Sequence, residues 1–443
     1  MVQNAVSGFG FAPEAAAVSF PVDLFLVGSD LTPVKDNIDK FINALTKWQP
    51  SIKEKRAVEP PPVTIQGRDF EDNLNQMNRL FARNRWGDGL PLLPATPERV
   101  KWILRGTDLA PGTRIGKILP RGRVATVNTL AVALALAGGR PEYLPVLIAA
   151  VEAMIDPGLN HQSWQATSCS VFPAAIVNGP IAKQIRLNSG FGLLGPDSVH
   201  PAGGAIGRAL RLVQQNVGGA VPGSGTMAQF GGMRYTNAVF AEDEKGLPPG
   251  WKPLSVEYFG APAGENVLTF YPVSGAVNIL RRGTGKETAE EEALASLHRV
   301  AQYMAAPNPN ALEGYEEGTP GILLFSTTVA NQLAKNGWTK EKIKEFLWEN
   351  SKVPMEKLKR AGMQYFMEDK KLDPKYVVDP FPISKQARNI MLVVAGGAHP
   401  THAYWMQGAQ ASKTVYRKIQ IPAGWDQLLK EAEVELGPLP EEQ

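Results

Sequence analysis

The chain has 443 residues, 44% hydrophobic and 20% charged, which is enough apolar content to bury a sizeable core and argues against a disordered chain. A formal charge of +3, with no dense Lys/Arg stripe carrying interleaved aromatics, gives no nucleic-acid footprint. The single cysteine, Cys169, excludes an internal disulfide framework and a thiolate-rich metal site.

The first residues lack the basic segment and long apolar core of a secretory signal, and no stretch reaches the roughly 18 apolar residues of a spanning helix. The expectation is a cytoplasmic protein without membrane or nucleic-acid partners. Residues 1–63 read as a head or docking segment. It holds a strand over Val22–Val27 and an amphipathic helix over Lys35–Lys47, with Ile38, Phe41, Ile42 and Leu45 at helical spacing. Glu59-Pro-Pro-Pro62 is a stiff connector. Phe70–Arg83 is the next predicted helix. Thr96 and Pro97 form an N-cap and first-turn pair opening another. Val124–Leu136 and Tyr143–Met154 are apolar on nearly every face, the mark of buried helices.

Residues 250–400 alternate strands (Val267–Pro272, Gly321–Ser326, Ile390–Ala395) with helices (Glu290–Met304, Thr328–Lys335, Lys340–Asn350). The mixed-sign run Lys340–Lys344 reads as a solvated helix face. Residues 412–443 read as a partly acidic tail with a helix over Trp425–Val434. The fold class expected is α/β: parallel or mixed sheets covered by helices, in two α/β lobes with a small N-terminal strand–helix head. The divisions fall at 1–63, 64–245 (the lobe carrying the site), 246–411 and 412–443.

Between 159 and 245 charge thins out while Gly, Asn and Ser crowd in, as in tight turns and backbone that approaches a ligand. Asn178 follows a short apolar strand, and Asn188-Ser189-Gly190 follows a helix. These amides and Ser189 are candidate substrate ligands, although Asn-Gly is also ordinary turn chemistry. His161 and Cys169 are candidate catalytic groups if the imidazole lowers the thiol pKa; a lone cysteine is otherwise a small buried residue. His200 precedes Gly203, Gly204 and Gly207, which read as the glycine-rich opening of a helix over Ala205–Asn216. His200 joins the catalytic candidates. Arg208, Asn216, Gly218 and Gly219 join the substrate-binding ones, against the alternative of helix packing through small residues. The acid required by a dinucleotide fingerprint is missing.

Glu242-Asp243 ends a strand, so at most one of the two points inward. Asp88, in Trp86-Gly-Asp-Gly-Leu90, either closes an Asx-turn or reaches the site as an acid. Gly396-Gly397-Ala-His399-Pro-Thr-His402 follows an apolar strand, at the carboxyl end where ligands sit in such folds. Gly396 and Gly397 would contact substrate and His399 would transfer protons. His399 and His402 would hold a metal if they shared a helical face, whereas Pro400 favours an irregular loop.

Several runs resemble, in order, a bacterial family described as UGSC-motif (seleno)proteins: Gly87–Val100, Arg140–Met154, Ile176–Pro180, Ile206–Leu212 and Asn216–Ala220. The family takes its name from a U/C-G-S-C motif, similar to a redox-active pair, in an associated N-terminal region. That motif is absent here, because residues 1–63 contain no Cys. The resemblance implies redox or lyase-type chemistry. It also implies either loss of the redox pair or a separate small subunit that supplies it and makes the protein an oligomer.

The first expectation is therefore an enzyme acting on a small anionic organic molecule. The second is a non-catalytic large subunit or ligand-binding protein. The third is a metal-dependent hydrolase or lyase using His399, His402 and an acid. No cofactor beyond that metal is legible.

Overall fold

The structure is a computed structural model that describes residues 28–49, 63–231, 236–280, 284–306, 319–363, 377–409 and 412–438. The strand expected at Val22–Val27 and the proline connector Glu59–Pro62 lie outside the described residues.

Helix α1 (Ile38–Thr46) buries none of its residues. Helix α2 (Phe70–Asn84) starts at Asp69, whose side chain accepts the Asp72 N–H. Helix α3 (Pro97–Ile103) starts as its sequence demands, the Thr96 hydroxyl accepting the Arg99 N–H. A hairpin of β1 (Arg114–Ile118) and β2 (Arg123–Thr126) leads into α4 (Val127–Leu136). The expected start at Val124 is therefore too early. Val124 and Ala125 are strand, and Thr126 ends it as N-cap of a capping box with Thr129. Helix α5 (Leu144–Met154) is buried on nearly every residue, as its composition requires.

Helix α6 (His161–Ala166) precedes β3 (Phe172–Asn178). Helix α7 (Ala202–Leu212) continues as a π-turn over Val213–Val217. It begins at Ala202, three residues before the expected start, so Gly203 and Gly204 stand in its first turn and Gly207 in its second. They let it lie against the strand that follows. A Cβ on Gly203 would sit 2.5 Å from the Val239 carbonyl oxygen, and one on Gly207 1.8 Å from that of Thr236. Then come β4 (Ala238–Ala241), α8 (Leu254–Phe259), β5 (Val267–Leu280), α9 (Ala289–Met304), β6 (Gly321–Phe325), α10 (Thr327–Lys335) and α11 (Lys340–Asn350). The chain ends through β7 (Met391–Val394), β8 (His402–Gly408), β9 (Val415–Lys418) and α12 (Trp425–Leu436).

The fold is mixed α/β. One sheet of seven strands runs β4-β3-β5-β8-β6-β7, with β9 also on β5, and curls into a half-barrel. The pairs β3–β4 and β6–β7 are parallel and the others antiparallel. The long strand β5 joins both halves. Val267–Val273 pairs with β3, and after a register shift at Val273–Gly275 the strand continues along β8 to Leu280. The expected division at 245–246 thus falls between two strands of one sheet. The supposed tail likewise contributes β9 to that sheet and packs Trp425 and Leu428 into the core.

Side chains alternate across the sheet as a two-residue repeat requires. Ala175, Val177, Val239 and Ala241 face the cluster formed with α4, α5 and α7. Leu323, Phe325, Leu392 and Val394 face α9, α10 and α11. Ala174, Ile176, Phe240, Ile322, Leu324, Met391 and Val393 meet in a third cluster, the inside of the curl. Among the described residues no helix is long and apolar enough to cross a membrane.

Candidate functional site

The curl brings the carboxyl ends of the two outermost strands together. Beyond β4, the Asp243 N–H donates to the carbonyl of Val394, the last residue of β7, at 2.8 Å. The Asn188–Phe191 loop seals the junction: the Ala241 N–H donates to Asn188 O and the Gly396 N–H to Ser189 O, each at 2.8 Å. Gly396 and Gly397 turn the chain with φ of +101° and +85°. A Cβ on Gly397 would also press on the Phe191 ring at 3.0 Å, so that ring would have to shift to admit one. Candidates scattered over more than 200 residues of sequence, Asn178, Asn188, Ser189, Gly396, Gly397 and His399, therefore meet at one place.

Two layers can be distinguished there. The inner layer is carboxylate-rich. Asn178 Nδ2 donates to Glu242 Oε2 at 2.8 Å and to Glu244 Oε1 at 3.0 Å, and Gly179 N–H also donates to Glu244. Glu242 is sealed from solvent, accepts the Leu254 N–H and faces Lys340 Nζ at 3.5 Å. Burial pushes its carboxyl above the ordinary range, opposed by Lys340 and by the Leu254 and Asn178 donors. Asp243 turns the other way, accepting from Thr327 Oγ1 at 3.0 Å. The alternation expected of adjacent strand-end acids holds.

Lys340 and Lys344 overturn the reading of Lys340–Lys344 as a solvated face. Both are buried, Lys340 on Glu242 and Glu257 and Lys344 on Glu257. Their i, i+4 spacing places them together on the face of α11 that lies against the sheet, while Lys342 stays outside.

The outer layer is a pair of imidazoles. His399 lies in the irregular loop that Pro400 favours, and His402 is the first residue of β8. Their Nδ1 atoms are 2.7 Å apart, and Thr401 Oγ1 lies 3.2 and 3.1 Å from them. One Nδ1 must donate and the other accept, so the pair holds a single proton between its rings. Partial burial and then the neighbouring His399 push the His402 pKa down. The Ser326 hydroxyl caps α10 by accepting the Val329 N–H and donates to the His399 carbonyl, which ties the pair to the end of β6. The described residues contain no group of three His, Cys, Asp or Glu side chains suited to a metal, so the two imidazoles lack a third ligand there.

Within the junction loop, the Asn188 side chain is spent on its own turn, accepting the Gly190 N–H and donating to Phe191 O. The remaining candidates lie apart from this junction. His200 Nδ1 meets Asp197 Oδ2 at 2.5 Å at the start of α7. Arg208 grips Asp88 with both arms, Nε to Oδ2 at 2.8 Å and Nη2 to Oδ1 at 3.0 Å, and also donates to the carbonyls of Leu90 and Pro91. Asp88 also makes the Asx-turn to the Leu90 N–H. Asn216 donates to Trp86 O, so the end of α7 clamps the whole 86–91 loop. Gly218 and Gly219 follow the π-turn, with Arg121 packed over Gly219. His161 is buried, and neither ring nitrogen has a hydrogen-bond partner among the described residues, so it does not bond the half-buried Cys169 thiol. Burial pushes its pKa down to about 3, which leaves it neutral and unable to lower a thiol pKa.

The sequence reading missed Glu244, Glu257, Ser326 and Thr327. The rule that singled out Gly396 also reaches Ser326 and Thr327, which follow the apolar strand Gly321–Phe325. Glu257 carried no local signal. Comparison with protein-family models, with curated proteins and with solved structures finds no match to the chain.

Proposed function

We propose that the chain is an enzyme that moves protons on a small organic molecule, in lyase-type chemistry, where β4 and β7 meet. The observation that carries this reading is the His399–His402 pair, which shares one proton over 2.7 Å at the carboxyl ends of the strands. One imidazole is free to take a proton from a carbon or oxygen acid while its partner stabilises the charge that forms. The runs that resemble UGSC-motif proteins favour a lyase or redox enzyme over a hydrolase. Within this chain acid–base chemistry is favoured over thiol chemistry, because the imidazoles are paired with each other and His161 does not bond Cys169.

The test is solvent-deuterium wash-in. The protein is incubated in deuterium oxide with a panel of small hydroxy and keto carboxylic acids, and exchange at carbon is followed by NMR. The wild type should catalyse exchange or elimination on at least one acid. His402→Gln should lose about a hundredfold or more, the usual worth of a positioned proton-transfer group. An unchanged rate in the His399→Gln/His402→Gln double variant would remove the pair from the mechanism.

A second reading has its own observation. The apolar residues Ile38, Ile42 and Leu45 of α1 are half or more exposed. An amphipathic helix with its apolar stripe in water suits docking against another chain, as expected of a large subunit with a small redox partner. Mass measurement of the protein purified from its native source would show a second, smaller chain. A chain of single type that is active by itself would dismiss this reading.

A further inference from the structure

The two histidines of the pair are held to the fold in different ways. His402 opens β8 and is carried by the sheet. It stands opposite Leu280 of β5, and its neighbour Ala403 stands opposite Phe325 of β6. His399 has no such support. It is exposed, it follows the two positive-φ glycines Gly396 and Gly397, and Pro400 comes next. Its N–H donates to Gly397 O at 3.1 Å, and its ring bonds are to Thr401 and His402. Among the described residues only one of its hydrogen bonds leaves the 397–402 segment: the His399 carbonyl accepts from the Ser326 hydroxyl.

Ser326 holds the other histidine as well. Its backbone N–H donates to the His402 carbonyl at 3.4 Å. One residue thus bonds the main-chain carbonyls of both partners, the first through its side chain and the second through its main chain. Ser326 is itself well fixed. It is 4% exposed, it directly follows β6, and its Oγ accepts the Val329 N–H at 3.3 Å as the N-cap of α10. The next residue adds a third tie, Thr327 N–H to Gly397 O at 3.0 Å. A hydrogen bond between two partly exposed side chains competes with water, and each imidazole loses rotamer freedom in making it. The 2.7 Å between the Nδ1 atoms therefore depends on the backbones that present the rings.

We propose that Ser326 is a positioning residue: by bonding the carbonyls of both His399 and His402 it sets the separation at which their imidazoles share a proton. It bonds neither ring and takes no part in the chemistry itself. Its effect on rate rests on the proton-transfer reading, whereas its effect on the pair does not. The hydroxyl has two tasks that substitutions separate. As an acceptor it caps α10, and as a donor it holds His399. Alanine removes both. Aspartate keeps an acceptor for the cap but, ionised, has no proton for the carbonyl.

The test is proton NMR of the full chain with isotopically labelled histidine. The bridging Nδ1–H gives a downfield signal, assigned by its loss in His402→Gln. That signal should vanish in Ser326→Ala and in Ser326→Asp. It should persist in Thr96→Ala, which removes the N-cap of α3 and leaves the 397–402 segment alone. In the deuterium wash-in, both Ser326 variants should lower the saturated exchange rate about tenfold or more and leave the half-saturating concentration little changed, because a misplaced reacting group costs rate rather than binding. Should Ser326→Ala fail to fold, the aspartate variant, which keeps the cap, carries the test. A bridging signal that survives either substitution, or that Thr96→Ala abolishes too, overturns the proposal. Loss of the signal in both variants, beside a wild type without exchange activity, upholds the positioning and removes only the proton-transfer reading.

Discussion

Lys340 Nζ lies 3.5 Å from Glu242 Oε1 with both side chains sealed from water, so the charge of a helix packed on β6 and β7 neutralises an acid at the end of β4. Lys340 also donates to the carbonyls of Lys252 and Leu392 at 2.7 and 3.2 Å. This group of bonds holds together the two edges whose meeting forms the candidate site.

Replacing Lys340 by Met should therefore destabilise strongly. It keeps the apolar stem and leaves Glu242 charged, buried and unpaired. Removing one partner of a buried pair costs about 3–5 kcal/mol. Lys340→Met combined with Glu242→Gln should recover part of that loss, because the orphaned charge is gone. Urea unfolding of the single and double variants measures both. Equal stability of Lys340→Met and wild type would mean that Glu242 is already neutral in the folded protein.

His161 predicts an acid limb in the stability profile. Its pKa falls from 6.5 to about 3 through burial alone. Between these values the unfolded chain binds a proton that the folded chain refuses. Stability from this group is complete above about 6.5 and is lost progressively as pH falls towards 3. His161→Leu removes the titration, so its stability should depend less on pH across that window than the wild type's. Denaturant midpoints at pH 7, 5.5 and 4 compare the two, and parallel profiles would show that the imidazole is not buried neutral.

What was legible in the sequence follows from range. Thr96, the apolar strands at Ala174–Val177, Gly321–Ser326 and Ile390–Ala395, and the capped helix at Lys340 are set by residues a few positions apart. The α/β class followed from them. Strands β8 and β9 were missed because His402–Gly408 mixes Tyr404, Trp405 and Gln407 without clean alternation, and Val415–Lys418 is too short to show a period. Spacing showed that Lys340 and Lys344 share a face but not that the face points inward. Asp88 and Arg208 were each singled out, yet nothing local says that residues 120 positions apart bind each other. The junction itself was not legible, since it exists only because the sheet curls and brings β4 to β7.

Gly207 gives a case where helix propensity and packing oppose each other. Alanine is the better helix former by about 1 kcal/mol at an interior position. Here its Cβ would stand 1.8 Å from the Thr236 carbonyl oxygen, a backbone atom that cannot rotate away. Gly207→Ala should force α7 off β4 and lower stability by about 2–3 kcal/mol despite the propensity gain. Chemical denaturation with helix content followed by circular dichroism decides it. Stabilisation would mean that α7 does not lie this close to the strand.

Asp88→Asn and Arg208→Gln should have the same consequence, and that sameness distinguishes a loop clamp from a substrate ligand. Asp88 is almost wholly buried and Arg208 largely so, and the guanidinium spends its donors on Asp88 and on the carbonyls of Leu90 and Pro91. If Arg208 held substrate, releasing it from Asp88 would strengthen binding while deleting it would abolish binding. As a clamp, either substitution frees the 86–91 loop. Each variant should lose about 2–4 kcal/mol and expose the loop amides to faster hydrogen exchange. The double variant should be little worse than the singles, because both remove one interaction. Exchange mass spectrometry over residues 86–91 gives the answer: opposite effects of the two variants would return Arg208 to the substrate.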